Sequence, residues 1–142
     1  MVKITPKIVI AITAVFVAVV LVAVAWFVTS GSVNASLDDN ELHVNAPMVD
    51  YDVNYDNILY VDIVDSFSTG SRTNGFGGTN VSSGTFSNSE FGSYTLAIYN
   101  SVEKYIIVKQ IDSSVLVFNI GSADSTKAFG QELQNKILLT VY

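Results

Sequence analysis

The sequence predicts a mainly β (α+β) protein. An N-terminal transmembrane helix precedes a bent antiparallel sheet or barrel of six or seven strands, which a C-terminal helix caps. Three observations predict this fold class. Residues 8–28 are uncharged and apolar, most of the later chain alternates apolar and polar residues as strands do, and the final segment changes to a helical period. Only 14% of the residues are charged, against roughly 25% in soluble proteins, which favours a membrane segment.

The apolar stretch at residues 8–28 is long enough to cross a bilayer. Its 21 residues, of which only Thr13 is clearly polar, would form a helix of about 32 Å, close to the roughly 30 Å hydrocarbon core. Trp26 near its end suits the membrane interface. Lys3 and Lys7 precede the stretch and acidic residues follow it, so we expect a single pass in the cell membrane with an extracytoplasmic C-terminal domain.

Two other interpretations of the apolar stretch remain open. The first is a cleavable signal peptide, with a small-x-small site at residues 33–35 that would release a secreted ligand-binding module. The stretch is longer than the apolar region of such peptides, which favours an uncleaved anchor. The second is a pilin-like filament subunit with its helix in a polymer core. The chain shows no pilin processing site and no early Glu in the run.

The remainder divides into a short polar linker, residues 31–36, and one domain, residues 37–142. Residues 31–142 contain five basic and 13 acidic residues, a net charge of −8, which argues against nucleic acid as a partner. The chain has no Cys and one His, so neither a metal site nor a cofactor is expected.

Alternating or β-branched runs predict the strands, and short links between them predict pairing of consecutive strands. Turns are expected at residues 38–40, 100–101 and 112–114, where Asp, Asn and Ser collect. Residues 66–92 are rich in Gly, Ser, Thr and Asn and are interpreted as a loop whose order the sequence leaves open. The strand signals fall at residues 41–46, 49–55, 59–67, 94–99, 104–111 and 114–120.

A helical stripe closes the chain. Phe129, Leu133 and Ile137 recur every four residues and predict a helix over about residues 123–138, capped by Ser122 or Asp124. Its one apolar face would close an opening of the bent sheet. The apolar residues 138–142 receive no assignment.

Four short motifs in order resemble those of bacterial and archaeal PH-like (pleckstrin-homology-like) membrane-linked domains, over about residues 36–137. This resemblance implies a PH-like sheet and a non-catalytic binding or assembly module of unknown ligand. The motifs are Tyr55-x-x-Ile58, Arg72-x-Asn74-Gly75-Phe76-Gly77, Gly84-x-Phe86, and Val117-Phe118-Asn119 followed by Thr126.

The second and third motifs supply the candidate contact residues for a ligand or partner: Arg72, Asn74, Phe76 and Phe86. Arg72 is the only Arg, and its planar fork either contacts a partner or pins the loop through a carboxylate or carbonyls. The aromatic rings either line a hydrophobic edge or tuck beneath the loop. Phosphoinositide binding is not expected, because it needs a basic pocket that an acidic domain lacks.

The remaining polar residues predict no catalysis. His43 is expected on the surface without a catalytic partner, and the Asp residues on residues 49–55 are interpreted as a solvated strand face rather than a Ca²⁺ site. Asn34 and Asn80 lie in N-glycosylation sequons, which matter if the domain is extracytoplasmic. We therefore expect a membrane-anchored protein that is not an enzyme and that binds a protein partner or self-associates through its Val- and Ala-rich helix.

Overall fold

A computed structural model describes residues 3–29 and 31–141. Met1, Val2, Ser30 and Tyr142, which the predicted domain limits include, lie outside the described residues. The first element is helix α1, Pro6–Thr29, with Pro6 in the first turn where its missing N–H costs nothing. Residues 6–26 of α1 are long and apolar enough to cross a membrane, and none of them is buried against the rest of the protein. A membrane span and a signal sequence both fit this description.

Nine strands follow α1, together with a 3-10 turn at Tyr55–Asn57, and helix α2 ends the described chain at Ala123–Val141. The strands are β1 Asn34–Leu37, β2 Glu41–Ala46, β3 Val49–Asn54, β4 Ile58–Val64, β5 Ser71–Gly77, β6 Val81–Asn88, β7 Gly92–Tyr99, β8 Tyr105–Gln110 and β9 Val115–Phe118.

The predicted fold class is confirmed: the chain is mainly β, with one helix before the strands and one after them. The strand number is nine rather than six or seven. β1 forms at the end of the segment predicted as a linker, and β5 and β6 form within residues 66–92, which were interpreted as a loop. Small polar residues carry no apolar alternation, so their strand pairing depends on neighbouring strands that the local sequence does not show.

The strands form two sheets. β1, β2 and β3 pair in order, and the second sheet has the order β4-β8-β9-β7-β6-β5. Consecutive strands pair as expected in the first sheet and, in the second, at β5–β6, β6–β7 and β8–β9. The expectation is wrong for β4, which pairs with β8, and for β9, which also pairs with β7. β9 runs parallel to β7, which also departs from the all-antiparallel prediction.

One core fills the space between the two sheets and α2. We call this the first core; it contains Leu42 and Val53 from the small sheet, Ile106 and Phe118 from the large sheet, and Leu133 from α2. The predicted helical stripe is confirmed, because Phe129 and Ile137 pack against the same core. The Ser122 side chain accepts the Ser125 N–H at 3.1 Å and caps α2, as one of the two predicted caps.

A second core lies on the other face of the large sheet. It contains Phe86, Tyr94, Leu96 and Val117, and the connection from β4 to β5 crosses it. Phe67 in that connection packs against Tyr94, with ring centroids 5.6 Å apart in an edge-to-face arrangement. The Tyr94 hydroxyl also donates to the Thr69 carbonyl at 2.6 Å, so the connection is held on the sheet.

Candidate functional site

The β5–β6 hairpin joins two of the family-like motifs. Gly75 of the first motif and Gly84 of the second are cross-strand partners, and both have positive φ, 148° and 126°. A Cβ on Gly84 would lie 2.4 Å from the Asn74 carbonyl oxygen, so only glycine allows the two backbones to approach this closely. The motifs therefore describe one sharp bend in a two-stranded ribbon.

A small cavity of about 170 Å³ lies where this bend faces the start of β3. Its walls offer amide and hydroxyl groups as well as backbone, which suits one small polar group rather than a large ligand. The lining residues are Met48, Val49, Asp50, Tyr51, Asn74, Gly75, Gly84, Thr85 and Thr95.

Arg72 and Asn74 lie on the exposed part of β5, which is an edge strand of the large sheet. A Cβ on Gly77 would collide with the Arg72 guanidinium, so the fork lies directly over that glycine. Among residues 3–29 and 31–141 no ion pair involves Arg72. The guanidinium thus retains donors for a partner, and the structure shows no carboxylate that pins it.

Phe76 and Phe86, the other two candidate contact residues, point into different cores. Phe76 is 8% exposed in the first core and Phe86 is 7% exposed in the second. Neither ring is available to a partner without unfolding the hairpin. These two rings therefore do not line a hydrophobic edge for a partner. Of the four candidate contact residues, only Arg72 and Asn74 remain accessible to a partner.

His43 has two carboxylate partners that the sequence analysis missed. Its Nδ1 lies 2.6 Å from Asp52 Oδ1, and its Nε2 lies 2.7 Å from Asp38 Oδ2. Asp52 is the cross-strand neighbour of His43 in the β2–β3 hairpin, and Asp38 is in the turn before β2. The register of the β2–β3 hairpin brings His43 opposite Asp52, and this register was not predicted from the sequence.

These contacts shift both pKa values. Hydrogen bonds to Asp38 and then Asp52 raise the pKa of His43 to about 9. The hydrogen bond from His43, followed by those from the backbone N–H groups of Asn40 and Glu41, lowers the pKa of Asp38 to about 2. Both ring nitrogens are engaged with carboxylates, which leaves no free nitrogen to act as a base toward a hydroxyl.

Three side chains at this place have the chemistry of metal ligands. Asp38, Glu41 and His43 each offer one ligand atom, and these atoms lie within 4.8 Å of one another. A divalent cation would have to displace the proton on Nε2 of His43, which the neighbouring carboxylates hold tightly. The ion-paired arrangement accounts for the cluster without a metal.

The fourth motif is structural. The fully buried Asn119 accepts the Tyr99 N–H at 2.6 Å and donates to the carbonyls of Tyr99 and Val102. Thr126, also fully buried, accepts the Ile120 N–H at 3.0 Å at the start of α2. These side chains satisfy the backbone where the sheet passes into the helix, so this motif marks the fold rather than a ligand site.

The two sequon asparagines, Asn34 and Asn80, are both exposed. Asn34 lies on the outer face of β1, and Asn80 lies in the turn between β5 and β6. Their positions permit modification of a domain that faces a glycosylating compartment.

Comparison with known proteins supports the same fold assignment. Residues 33–137 match the family described as Bacterial PH domain, which covers about three quarters of the chain. No curated protein and no solved structure matches the chain. The match includes all nine strands and most of α2. Because this match covers well over half of the chain and includes both sheets and most of α2, the chain belongs to the bacterial PH domain family.

Proposed function

We propose that this protein is a single-pass membrane protein in which α1 anchors a non-catalytic PH-like domain that binds a protein partner at the outer surface of the cell membrane. One observation carries the proposal. The 21 residues of α1 at positions 6–26 are predominantly apolar and are not buried against the domain, so this apolar surface requires another environment. A bilayer supplies that environment, and a helix satisfies its own backbone there.

The charge distribution supports the orientation. Lys3 and Lys7 flank the N-terminal end of the apolar segment, and the domain after it carries a net charge of −8. Positive flanks stay in the cytoplasm, so the domain is placed outside. The same acidic domain disfavours anionic lipids and nucleic acids as its ligand. A protein partner that contacts Arg72 and Asn74 on the exposed β5 edge, or a second copy of the chain, fits the surface better.

The absence of catalysis is part of the proposal. The single His is held between Asp38 and Asp52, and both of its ring nitrogens are engaged. Within the described part of the chain, no hydroxyl side chain forms a hydrogen bond with that ring. His43 therefore has no nucleophile beside it, among the described residues, for which it could act as a base.

Topology is the property to test first. The full chain with a tag at each end is expressed in bacteria, the membranes are washed with alkaline carbonate, and protease is added to spheroplasts. We expect the protein to stay in the membrane, to retain Met1 by mass spectrometry, and to lose the C-terminal tag to protease. The variant carrying Lys3→Glu and Lys7→Glu is a matched control, in which loss of the positive flank makes the orientation mixed.

Other outcomes identify the other interpretations. A mature N-terminus near Ser36 indicates signal cleavage and a secreted module. Large particles that sediment after detergent treatment indicate a filament subunit. A C-terminal tag that is protected until lysis contradicts the extracytoplasmic placement.

Partner binding is tested by a photo-crosslinking amino acid at position 74, with position 45 as the control. Asn45 is also an exposed strand asparagine, but it lies on the outer face of the small sheet. A crosslinked band that appears only from position 74, and that Arg72→Glu weakens, supports the β5 edge as the contact. Equal crosslinking from both positions contradicts it.

A further inference from the structure

We propose that the end of the domain nearest α1 lies directly on the bilayer surface, with Met48 at the β2–β3 turn contacting the lipid headgroup region. This inference rests on the proposed function, because it requires α1 to span that bilayer. The domain then has a fixed orientation, in which the end nearest α1 contacts lipid and the opposite end faces away from the membrane.

The chain enters the domain at this end without a spacer. α1 ends at Thr29, and Gly31 already packs against the domain. A Cβ on Gly31 would lie 3.2 Å from Phe76 and Val81 and 3.3 Å from Pro47. Because two residue steps span at most about 7 Å, the domain cannot move far from the end of the helix.

Three turns form a connected surface around this entry point, which we call the entry surface: residues 47–48, 77–81 and 100–102. The Ser83 hydroxyl donates to the Pro47 carbonyl at 2.5 Å and ties the first turn to β6. The Asn100 N–H donates to the Asn80 carbonyl at 2.8 Å, and its side-chain amide donates to the Gly78 carbonyl at 3.2 Å. The entry surface is therefore one unit rather than three independent loops.

The charge on the entry surface suits a phospholipid bilayer. All 13 carboxylates of the chain lie outside its three turns, although the domain as a whole is strongly acidic. The guanidinium of Arg72 lies over Gly77, at the start of the second turn. Carboxylates are repelled by a negatively charged leaflet and an arginine is attracted, so both features favour the approach of this end to the bilayer.

Met48 supplies an apolar side chain at the tip of the entry surface. It is 69% exposed and holds a positive φ of 61°, which is uncommon for a non-glycine residue. An exposed thioether on a turn beside a membrane anchor loses contact with water when it enters the interface, which favours contact.

The chain has no cysteine, so single labelling sites are simple to introduce. The variants are Met48→Cys and Thr79→Cys on the entry surface and Leu59→Cys as the control. Leu59 is 60% exposed and follows the far end of β3, whose six residues span about 20 Å. Each full-length protein carries an NBD fluorophore and is reconstituted in phosphatidylcholine vesicles with and without lipids that bear a nitroxide near the headgroup.

We expect the nitroxide lipids to quench NBD at positions 48 and 79, with a blue-shifted emission at position 48, and to leave position 59 unquenched. If Met48→Cys disturbs the turn, the Thr79→Cys variant gives the deciding measurement, because Thr79 accepts the Asn100 side-chain amide through its backbone carbonyl, which the substitution keeps. Vesicle flotation of each variant shows whether the protein is held in the bilayer at all, which separates failure of the anchor from failure of the proposed orientation. Protein that floats but shows equal quenching at all three positions, or none, overturns only this inference. Protein that fails to float overturns the membrane anchor and this inference together.

Discussion

Gly75 and Gly84 face each other across β5 and β6, and neither position accepts a side chain. A Cβ on Gly75 would lie 2.2 Å from the Ser83 carbonyl oxygen, and one on Gly84 would lie 2.5 Å from the Gly75 Cα. The pair explains why two of the family-like motifs contain glycine: each motif supplies one of the two facing glycines. The two motifs are the two sides of one hairpin at the point where its backbones approach closely, and Phe76 and Phe86 beside them enter different cores.

The first prediction concerns this pair. Gly84→Ala should destabilise the protein by at least about 2 kcal/mol, because a side chain at positive φ is strained and the opposite backbone blocks it. Chemical denaturation of the full chain in detergent, followed by near-ultraviolet circular dichroism, measures the effect. Gly121→Ala is the control, since a Cβ there meets nothing within 4 Å, and its change should stay within about 1 kcal/mol. Equal stability of the two variants would contradict this explanation of the motifs.

The second prediction concerns Asn119. Replacing it with Ala leaves the buried backbone groups of Tyr99 and Val102 without partners, at a cost of roughly 2–4 kcal/mol. The same denaturation measurement is used, with Asn45→Ala as the control. Asn45 is exposed on β2, so its replacement should change stability by no more than about 0.5 kcal/mol. A small effect at Asn119 would mean that the motif residue serves something other than the fold.

The third prediction separates two leucines of α2. Leu133 is fully buried in the first core, whereas Leu139 is 77% exposed. Leu133→Ala should therefore cost about 2–5 kcal/mol through lost burial and a cavity, and Leu139→Ala should be close to neutral. Thermal unfolding measures both. A strong loss at Leu139 instead would show that the end of α2 is covered in solution by a second copy or a partner.

The fourth prediction concerns pH. The pKa of His43 is raised to about 9 from an ordinary 6.5, and the pKa of Asp38 is lowered to about 2 from 3.8, so their pairing stabilises the fold fully between about pH 3.8 and pH 6.5. This stabilisation is lost as the pH rises through about 9. His43→Gln should remove that part of the alkaline loss of stability, and Asp38→Asn should lower the pKa of His43 more than Asp52→Asn does. Proton NMR titration of the single imidazole checks both statements, and a midpoint near 6.5 would contradict them.

Residue periodicity was sufficient to predict the strands that have one apolar face. In β3, Val49 and Val53 are buried and Asp50 and Asp52 are exposed, as their alternation predicts. The stripe of α2 was equally clear, although the helix continues to Val141 rather than ending at residue 138. β5 and β6 were missed because Gly, Ser and Asn side chains pack too little to reveal a strand. Their strand structure comes from pairing, of β6 with β7 and of β5 with β6.

The candidate site was predicted less completely than the fold, because it depends on register and side-chain direction. Arg72 and Asn74 are exposed, but Phe76 and Phe86 alternate into opposite cores, which a loop interpretation of residues 66–92 could not show. His43 was placed correctly on the outer face of β2. Its two carboxylate partners followed only from the register of the β2–β3 hairpin, which local patterns did not specify.

The strand order of the large sheet also determines how the chain can assemble. β5, β6 and β7 are consecutive and antiparallel, so they can form early through short loop closures. β4 lacks its only sheet neighbour, β8, until these three strands have been made, and β9 must then enter between β8 and β7. During synthesis, β4 therefore has no sheet neighbour while β5–β7 emerge. Its pairing with β8 joins the two neighbouring strands of this sheet that are farthest apart in the sequence, whereas β8 and β9 are consecutive. We therefore expect the β4–β8 pairing to be the slow step of folding.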